Sequence, residues 1–279
     1  MRILRIRRTM LESTALTGLV ALVSIVAIFP YYTMIMMSTH SSAGIFQENV
    51  LIPGGGFALN IAKVWASNIL RYYWNSISIS TVATILSVLV SSMAGFGLAK
   101  YDFTGKGLIR SLVLVTLLIP AQLGLIGYVK EMVFLGLTGT MWPLILIWTA
   151  NPFGVFWMMS YMKENLPDEI LDSARIDGCK DLRIYTLIVV PLIMPAIVTL
   201  AMLVFLWSWN LYLLPLIVIN DPAKFTIPLS INMLDPSMSS IDYGARITAL
   251  ALSTLPLVLI FAVGSKYFIQ GLTSGAVKG

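Results

Sequence analysis

The stretch that decides the fold is "ENLPDEILDSARIDGCKDLRIYTLIVVPLIMP", residues 164–195. Its first half is polar, and no charge follows Arg183. Residues 163–183 alone hold four of the 18 basic and six of the 13 acidic residues in the chain: Lys163, Glu164, Asp168, Glu169, Asp172, Arg175, Asp177, Lys180, Asp181 and Arg183. The sequence on either side is apolar. Neither residues 141–162 nor residues 184–218 contain Asp, Glu, Lys, Arg or His. One compact charged insert therefore sits between two long uncharged runs.

Working outward, the whole chain has that character. Of its 279 residues, 58% are hydrophobic and 11% charged, where soluble domains carry roughly 25% charged residues. A soluble fold of this length could not hide so much apolar surface, whereas a bilayer accepts it. Uncharged apolar windows predict six membrane spans, near 13–37, 75–99, 111–129, 141–162, 184–218 and 247–264. The fifth is longer than one span and extends beyond the hydrocarbon core. The expected fold is an all-α membrane protein with six transmembrane helices. It forms one transmembrane domain over residues 1–279, with no separate soluble domain, internal repeat or low-complexity tract.

Loop charge sets the expected orientation. With the N-terminus inside, 13 basic residues fall on the cytoplasmic side, among them Arg2, Arg5, Arg7, Arg8, Lys100, Lys106 and Lys163, against five outside: Lys63, Arg71, Lys130, Lys224 and Arg246. Both termini and the charged insert are then cytoplasmic. The net charge of +5 is this inside bias, spread over short segments, and is no nucleic-acid footprint. "RILRIRR" at residues 2–8 precedes an apolar run too long for a signal-peptide core, so the first span reads as a retained signal anchor. The single Cys179 cannot form an intrachain disulfide. The outer loop 40–74, with "PGGG" at 53–56 and Trp65, Tyr72, Tyr73 and Trp74, suits a membrane-surface segment with aromatic anchors.

Missing chemistry narrows the function. The one histidine, His40, stands at the outer end of the first span and reads as a polar residue at a helix end. No metal-ligand cluster is expected and no catalytic residue is assigned. "TGKG" at 104–107 fails as a phosphate loop, because Lys100 stands where the first Gly belongs and Gly107 where Ser or Thr belongs. The spans carry no ionisable residue, although ion-driven machines usually do; sodium coupling through backbone carbonyls stays open. The energy for any transport therefore enters from elsewhere.

The insert itself reads as a short helix. Pro167 suits a first turn, and Asp168 and Glu169 follow where the helix dipole favours anions. Ile170, Leu171 and Ala174 make an apolar strip, Asp172 and Arg175 pair at i, i+3, and Gly178 ends the helix in a left-handed cap. A second helical run from Lys180 leads into the fifth span, loosened or kinked by Pro191 and Pro195. Three fates are open for the short helix. It lies on lipid, it is solvated, or its apolar strip docks into a groove on a cytoplasmic partner and carries the partner's movement into the adjoining span.

These residues carry a resemblance. "EILDSARIDGCKDLRIYTLIVVPLIMPA" resembles the EAA loop of the permeases of binding-protein-dependent ABC importers, of the maltose type, whose pattern is E-A-A-x-x-D-G followed by I-x-x-P-L-x-x-P. Asp172, Ser173, Ala174, Asp177 and Gly178 occupy the first part and Ile188, Pro191, Leu192 and Pro195 the second. Asp172 stands for Glu and Ser173 for Ala. "SSMAGFGLAKYDFTGKG", "LLIPAQLGLIGYV", "FLWSWNLYLLPLIVI" and the tail "GLTSGAVKG" resemble other parts of the smaller sugar permease, so the likeness covers most of the chain.

The resemblance implies a type I ABC importer transmembrane domain in the bacterial cytoplasmic membrane, with a coupling helix between spans 4 and 5 in the loop 163–190. It implies a second homologous permease, two ATP-binding subunits and an extracytoplasmic solute-binding protein as partners. ATP and Mg would be bound by the ATPase subunits and no cofactor by this chain. Asp172, Ser173, Ala174, Asp177 and Gly178 would serve ATPase contact or loop geometry. Trp209, Asn210 and Tyr212 are candidates for lining the pathway, and Asn210, a polar group within a span, favours a bundle interior. Gly275, Val277 and Lys278, in the tail 271–279, are candidates for a further ATPase contact. The implied solute is a carbohydrate. A glycerol-phosphate or polyol permease is an alternative, and an ion-coupled secondary carrier or a non-transporting scaffold represents other classes.

Overall fold

A computed structural model of the chain describes residues 2–232, 234 and 241–273, with the backbone alone for 2–13 and 268–273. Among the described residues all regular structure is helical. In chain order the helices are α1 (Arg2–Met37), α2 (Gly44–Gln47), α3 (Phe57–Ala66), α4 (Ile69–Lys100), α5 (Lys106–Leu118), α6 (Ala121–Phe134), α7 (Trp142–Thr149) and α8 (Pro152–Asn165). Then come α9 (Asp168–Ile176), α10 (Asp181–Leu192, with a π-turn inside it), α11 (Met194–Trp209), α12 (Leu213–Val218), α13 (Ile227–Asn232), α14 (Tyr243–Ser253) and α15 (Leu255–Thr273).

Four segments are long and apolar enough to cross a membrane: Thr14–Met37, Ile69–Lys100, Trp142–Asn165 and Tyr243–Tyr267. The other two expected windows fall on bent helix pairs, each the shape of a broken span or a re-entrant loop, so the described residues give four straight spans, or six if each pair is one span. α5 and α6 meet at 107°, and α10 and α11 at 79°. The first bend has a local cause. Ile119 precedes Pro120 and is pushed into an extended conformation (φ −86°, ψ 122°), which ends α5. The second lies where Pro191 and Pro195 remove two backbone donors. Just before them the Val190 N–H reaches back five residues to the Tyr185 carbonyl, and Ile193 sits at φ −95°, ψ 11°. The kink expected from the two prolines is therefore a π-turn followed by a sharp break.

The chain falls into two compact units, each built from discontinuous segments. One unites Met1–Asn68 with Ile231–Thr254, where α14 packs on α1 and α3. Its organising residue is Asn60, buried, which donates from Nδ2 to the carbonyls of Ser38 (2.9 Å) and His40 (2.7 Å). Thr248 also donates to the Ser38 carbonyl, at 3.1 Å. Asp242 caps α14 by accepting from the Ala245 N–H at 3.0 Å, and it takes further bonds from Ser42 and Lys63. Burial would raise the Asp242 carboxyl, but Lys63, the Ala245 N–H and the Ser42 hydroxyl outweigh it and hold it down at about 2. His40 stands just beyond the end of α1, as its position predicts. It is buried, its ring lies against Gly54, and its Nε2 is 3.6 Å from the Glu48 carboxylate.

The second unit comprises Ile69–Ser230 and Leu255–Gly279. α4 is its axis and packs along α8, α11 and α7. The buried face of α4 is small: Ser76, Ser80, Ala83, Ser87 and Ser91 recur at helical spacing. Small residues let helices approach closely where no water drives them together. The approach is close enough that a Cβ on Gly95 would lie 2.6 Å from the Met158 Cβ, and one on Gly154 would lie 2.4 Å from the Ser91 hydroxyl.

Candidate functional site: the loop between α8 and α10

α8 ends at Asn165, and Leu166 and Pro167 take extended conformations before α9 starts. The cap at the far end of α9 is complete. Gly178 sits at φ +78°, the Cys179 N–H donates to the Ala174 carbonyl and the Gly178 N–H to the Arg175 carbonyl, each at 3.0 Å. These are the two bonds of a Schellman motif, which a residue in the left-handed conformation closes. The short helix, the glycine turn and the second helix thus stand where the spacing predicts them.

The apolar strip takes none of the three fates left open for it. Leu171 and Ala174 are buried in this chain's own core with Phe96, Met162, Leu166 and Ile184, so they are not available to a partner. Ile170 is 39% exposed and falls off the strip. The reason is that the helix sits against α10 with its apolar side in that shared core, and its start is tied to the end of α4. Lys100, the last residue of α4, with its side chain only 6% exposed, donates from Nζ to the Leu166 carbonyl at 2.6 Å and to Asp168 Oδ1 at 2.7 Å. Next to it the Tyr101 hydroxyl donates to Asp181 at 2.6 Å, and the Arg175 guanidinium lies 5.3 Å above the Tyr101 ring. Burial and the Asp181 carboxylate push the Tyr101 hydroxyl above its ordinary value, against the opposing effect of Arg175.

The five motif residues separate into different roles. Ala174 is a core residue and Gly178 a backbone residue. The Ser173 hydroxyl donates back to the Glu169 carbonyl at 2.8 Å, and Asp172 accepts from Arg175 at 3.1 Å. Asp177 is the C-cap, exposed. The face α9 turns outward is acidic, with Asp168, Glu169, Asp172 and Asp177, and its most exposed apolar residue is Ile176, at 87% against 39% for Ile170. Sequence reasoning missed Ile176, Lys100 and Tyr101. Lys100 was legible as the first charge after an uncharged span, with Asp168 as its complement in the first turn of the insert.

The three candidate pathway residues do not form one surface. Trp209 is 2% exposed and sits between the rings of Phe205 (5.8 Å) and Tyr73 (6.0 Å). Asn210 is exposed rather than interior. It lies one residue beyond α11, where it caps the helix by donating to the Leu206 carbonyl at 2.9 Å. Tyr212 is exposed at the start of α12. Gly275, Val277 and Lys278 lie outside the described residues. Among the described residues no group of His, Cys, Asp and Glu could hold a metal ion.

Comparison with known proteins defines the class. Residues 87–274 match the family described as the binding-protein-dependent transport system inner membrane component, and the chain belongs to that family. It is similar to the arabinooligosaccharides transport system permease protein AraQ of Halalkalibacterium halodurans, 34% identical over 264 residues, which are 93% of this chain and 94% of that protein. It is also similar to the trehalose/maltose transport system permease protein MalG of Thermococcus litoralis, 31% identical over 92% of this chain and 94% of that one. A crystal structure of a bacterial ABC transporter involved in the import of the acidic polysaccharide alginate contains a chain of the same fold. The TM-score is 0.77 at 22% identity, covering 92% of this chain and 96% of that chain. The protein is thus a multi-pass permease component of an ABC transport system, non-catalytic itself and working with other subunits.

Proposed function

We propose that this chain is one of two permease subunits of an importer that moves a carbohydrate, delivered by an extracytoplasmic binding protein, across the cytoplasmic membrane. The observation that carries the reading is likeness over nearly the full length to permeases named for oligosaccharides and disaccharides. α9 is the coupling helix and docks on an ATPase subunit, with the N-terminus, the loop and the tail all cytoplasmic, as the basic residues of the loops suggest. The docking face is the acidic surface around Ile176, held in shape by Ala174 and Gly178. A cleft that accepts it has an apolar floor and a basic rim. ATP and Mg bind on two ATPase subunits, whose closure on ATP pulls the loops and turns the pathway outward. Trp209, Asn210 and Tyr212 stand near that pathway, and Gly275, Val277 and Lys278 reach the ATPase side.

The test is reconstitution of this chain with the permease, ATPase and binding protein encoded beside it. ATPase stimulation and uptake are measured over a panel of mono- and oligosaccharides, with glycerol phosphate and a polyol included. Stimulation by a loaded sugar-binding protein is expected. Uptake driven by an ion gradient without the ATPase would overturn the reading.

A further inference from the structure

The direct route from α9 into the membrane is mechanically poor. α9 leads into α10, which contains a π-turn, two prolines follow, and α11 departs at 79°. A push on α9 along the chain would be absorbed in that break. Another element is fixed to the same loop and is straight enough to carry the push.

We infer that α4 is the transmission rod of this permease, clamped at one end to the coupling loop and at the other to the segment 221–227. The inference rests on the reading of α9 as the ATPase-docking helix. α4 runs unbroken from Ile69 to Lys100 with no proline. From Asn75 to Lys100 it rises about 37 Å at 1.5 Å per residue, more than a hydrocarbon core of about 30 Å.

At the Lys100 end the clamp has three parts. Lys100 holds the Leu166 carbonyl and Asp168, which are the two sides of the turn into α9. Tyr101 holds Asp181, beyond the other end of α9, and underlies Arg175 in its last turn. About two turns deeper, the buried hydroxyls of Ser92 and Tyr185 are 2.6 Å apart, and Phe96 packs on the rings of both Tyr101 (5.3 Å) and Tyr185 (5.7 Å).

The opposite end is clamped as firmly. Buried Asn75 donates from Nδ2 to the carbonyls of Ala223 (2.9 Å) and Phe225 (3.0 Å). The adjacent Ser76 hydroxyl accepts from the Ile227 N–H at 2.8 Å. Hydrogen bonds fail steeply beyond about 3.5 Å, and buried groups left unpaired are costly. Shifting α4 against either loop by more than about 1 Å therefore sacrifices several bonds together. The cheaper response is for the rod and both loops to move as one body. The segment 221–227, on the far side of the bilayer from α9, then reports the state of the ATPase site, and a ligand there biases that site in return.

The experiment needs no knowledge of the solute. The complete transporter is prepared in a Cys179→Ser background, which removes this chain's only cysteine, and labelling is read on this chain after separation of the subunits. Pro222→Cys then places a reporter on the exposed turn held by Asn75. The maleimide labelling rate at 222 is measured before and after addition of ATP, Mg2+ and vanadate. A change of about five-fold or more is expected, the lower range of ordinary site-to-site coupling. Lys100→Met, Tyr101→Phe and Asn75→Ala should each abolish the change in assembled complexes. Lys100→Arg, which keeps donors for the carbonyl and the carboxylate, should restore it. The double variant Lys100→Met/Asn75→Ala should be no worse than either single one, because both cut the same rod.

An unaltered response in the assembled Tyr101→Phe and Asn75→Ala variants would overturn the inference. So would a wild-type complex with active ATPase and no response at 222. Should Lys100→Met fail to assemble, Tyr101→Phe, which loses one hydroxyl, decides between the two outcomes. If no ATPase subunit co-purifies with the wild-type chain, the docking reading falls, and this inference falls with it.

Discussion

The N–H of Cys179 donates to the carbonyl of Ala174 at 3.0 Å across Gly178, whose φ is +78°. That bond can form only while residue 178 stays in the left-handed region. A Cβ there would meet nothing within 4 Å, so the penalty of a side chain is conformational rather than steric. Gly178→Ala should therefore cost about 1–2 kcal/mol of local stability, read as faster hydrogen exchange over residues 174–180. Gly178→Pro also loses the N–H that bonds Arg175. It should leave the chain in the membrane while ATP hydrolysis in the assembled transporter is uncoupled from uptake. Wild-type coupling in that variant would show that the cap has no part in transmission.

Two neighbours on α9 should separate folding from docking. Ala174 is 6% exposed and packs inward, whereas Ile176 is 87% exposed. Ala174→Leu overfills the core against Phe96 and Ile184 and should lower the stability of the isolated permease by about 1–3 kcal/mol. Ile176→Ser should change that stability by less than about 0.5 kcal/mol. If Ile176 is buried on docking, its loss removes about 1.5–3 kcal/mol of apolar transfer energy, or about 10- to 150-fold in ATPase affinity. Thermal unfolding of the permease and titration with the ATPase subunit measure the two effects. Equal affinity for Ile176→Ser and wild type would move the contact elsewhere on the loop.

Much of this was legible in the sequence, for a physical reason. Uncharged windows near 20 residues and the helix-start and helix-stop residues around α9 act locally, so Pro167, Asp168 and Gly178 marked their turns in advance. What was hidden depends on partners distant in the chain. Leu171 and Ala174 look like a free apolar strip until the core of Phe96, Met162, Leu166 and Ile184 takes them in, and Lys100 looks like a topogenic charge until it meets the Leu166 carbonyl. The bends hid differently. Pro120, Pro191 and Pro195 announce breaks, but an angle of 107° or 79° is set by packing. Asn210 misled because its window stayed apolar beyond the end of the helix that it caps.

Asp242 gives a prediction in pH. Its carboxyl is held at about 2, below the ordinary 3.8. A lowered acid contributes stability that is present above the unfolded value and is lost as pH falls through the folded one. The deficit of Asp242→Asn against wild type should then be constant from about pH 5 to pH 8. It should shrink below about pH 4 and vanish near pH 2, as wild type loses its own charge. Unfolding of detergent-solubilised protein across that range is the measurement. A deficit that varied between pH 5 and pH 8 would point to a group other than Asp242.

The glycines of "PGGG" supply a matched pair. Gly55 and Gly56 are adjacent, and neither needs a left-handed backbone. A Cβ on Gly55 would meet nothing within 4 Å. One on Gly56 would lie 2.7 Å from both the His40 carbonyl carbon and the Ser41 nitrogen, which are main-chain atoms with no rotamer to yield. The Gly56 N–H also donates to the Thr39 carbonyl at 2.6 Å, so the backbone cannot step away without breaking that bond. Nor can residues 40 and 41 retreat freely, because the His40 carbonyl is held by Asn60. Gly56→Ala should therefore destabilise the unit around α1, α3 and α14 by about 1–3 kcal/mol. Gly55→Ala should stay within about 0.5 kcal/mol of wild type. Comparing the two by thermal unfolding, with Asn60→Ala as a third variant that releases His40, tests whether close approach rather than loop flexibility fixes these glycines. Gly56→Ala should be partly tolerated once Asn60 is gone, because the segment 39–41 is then free to shift.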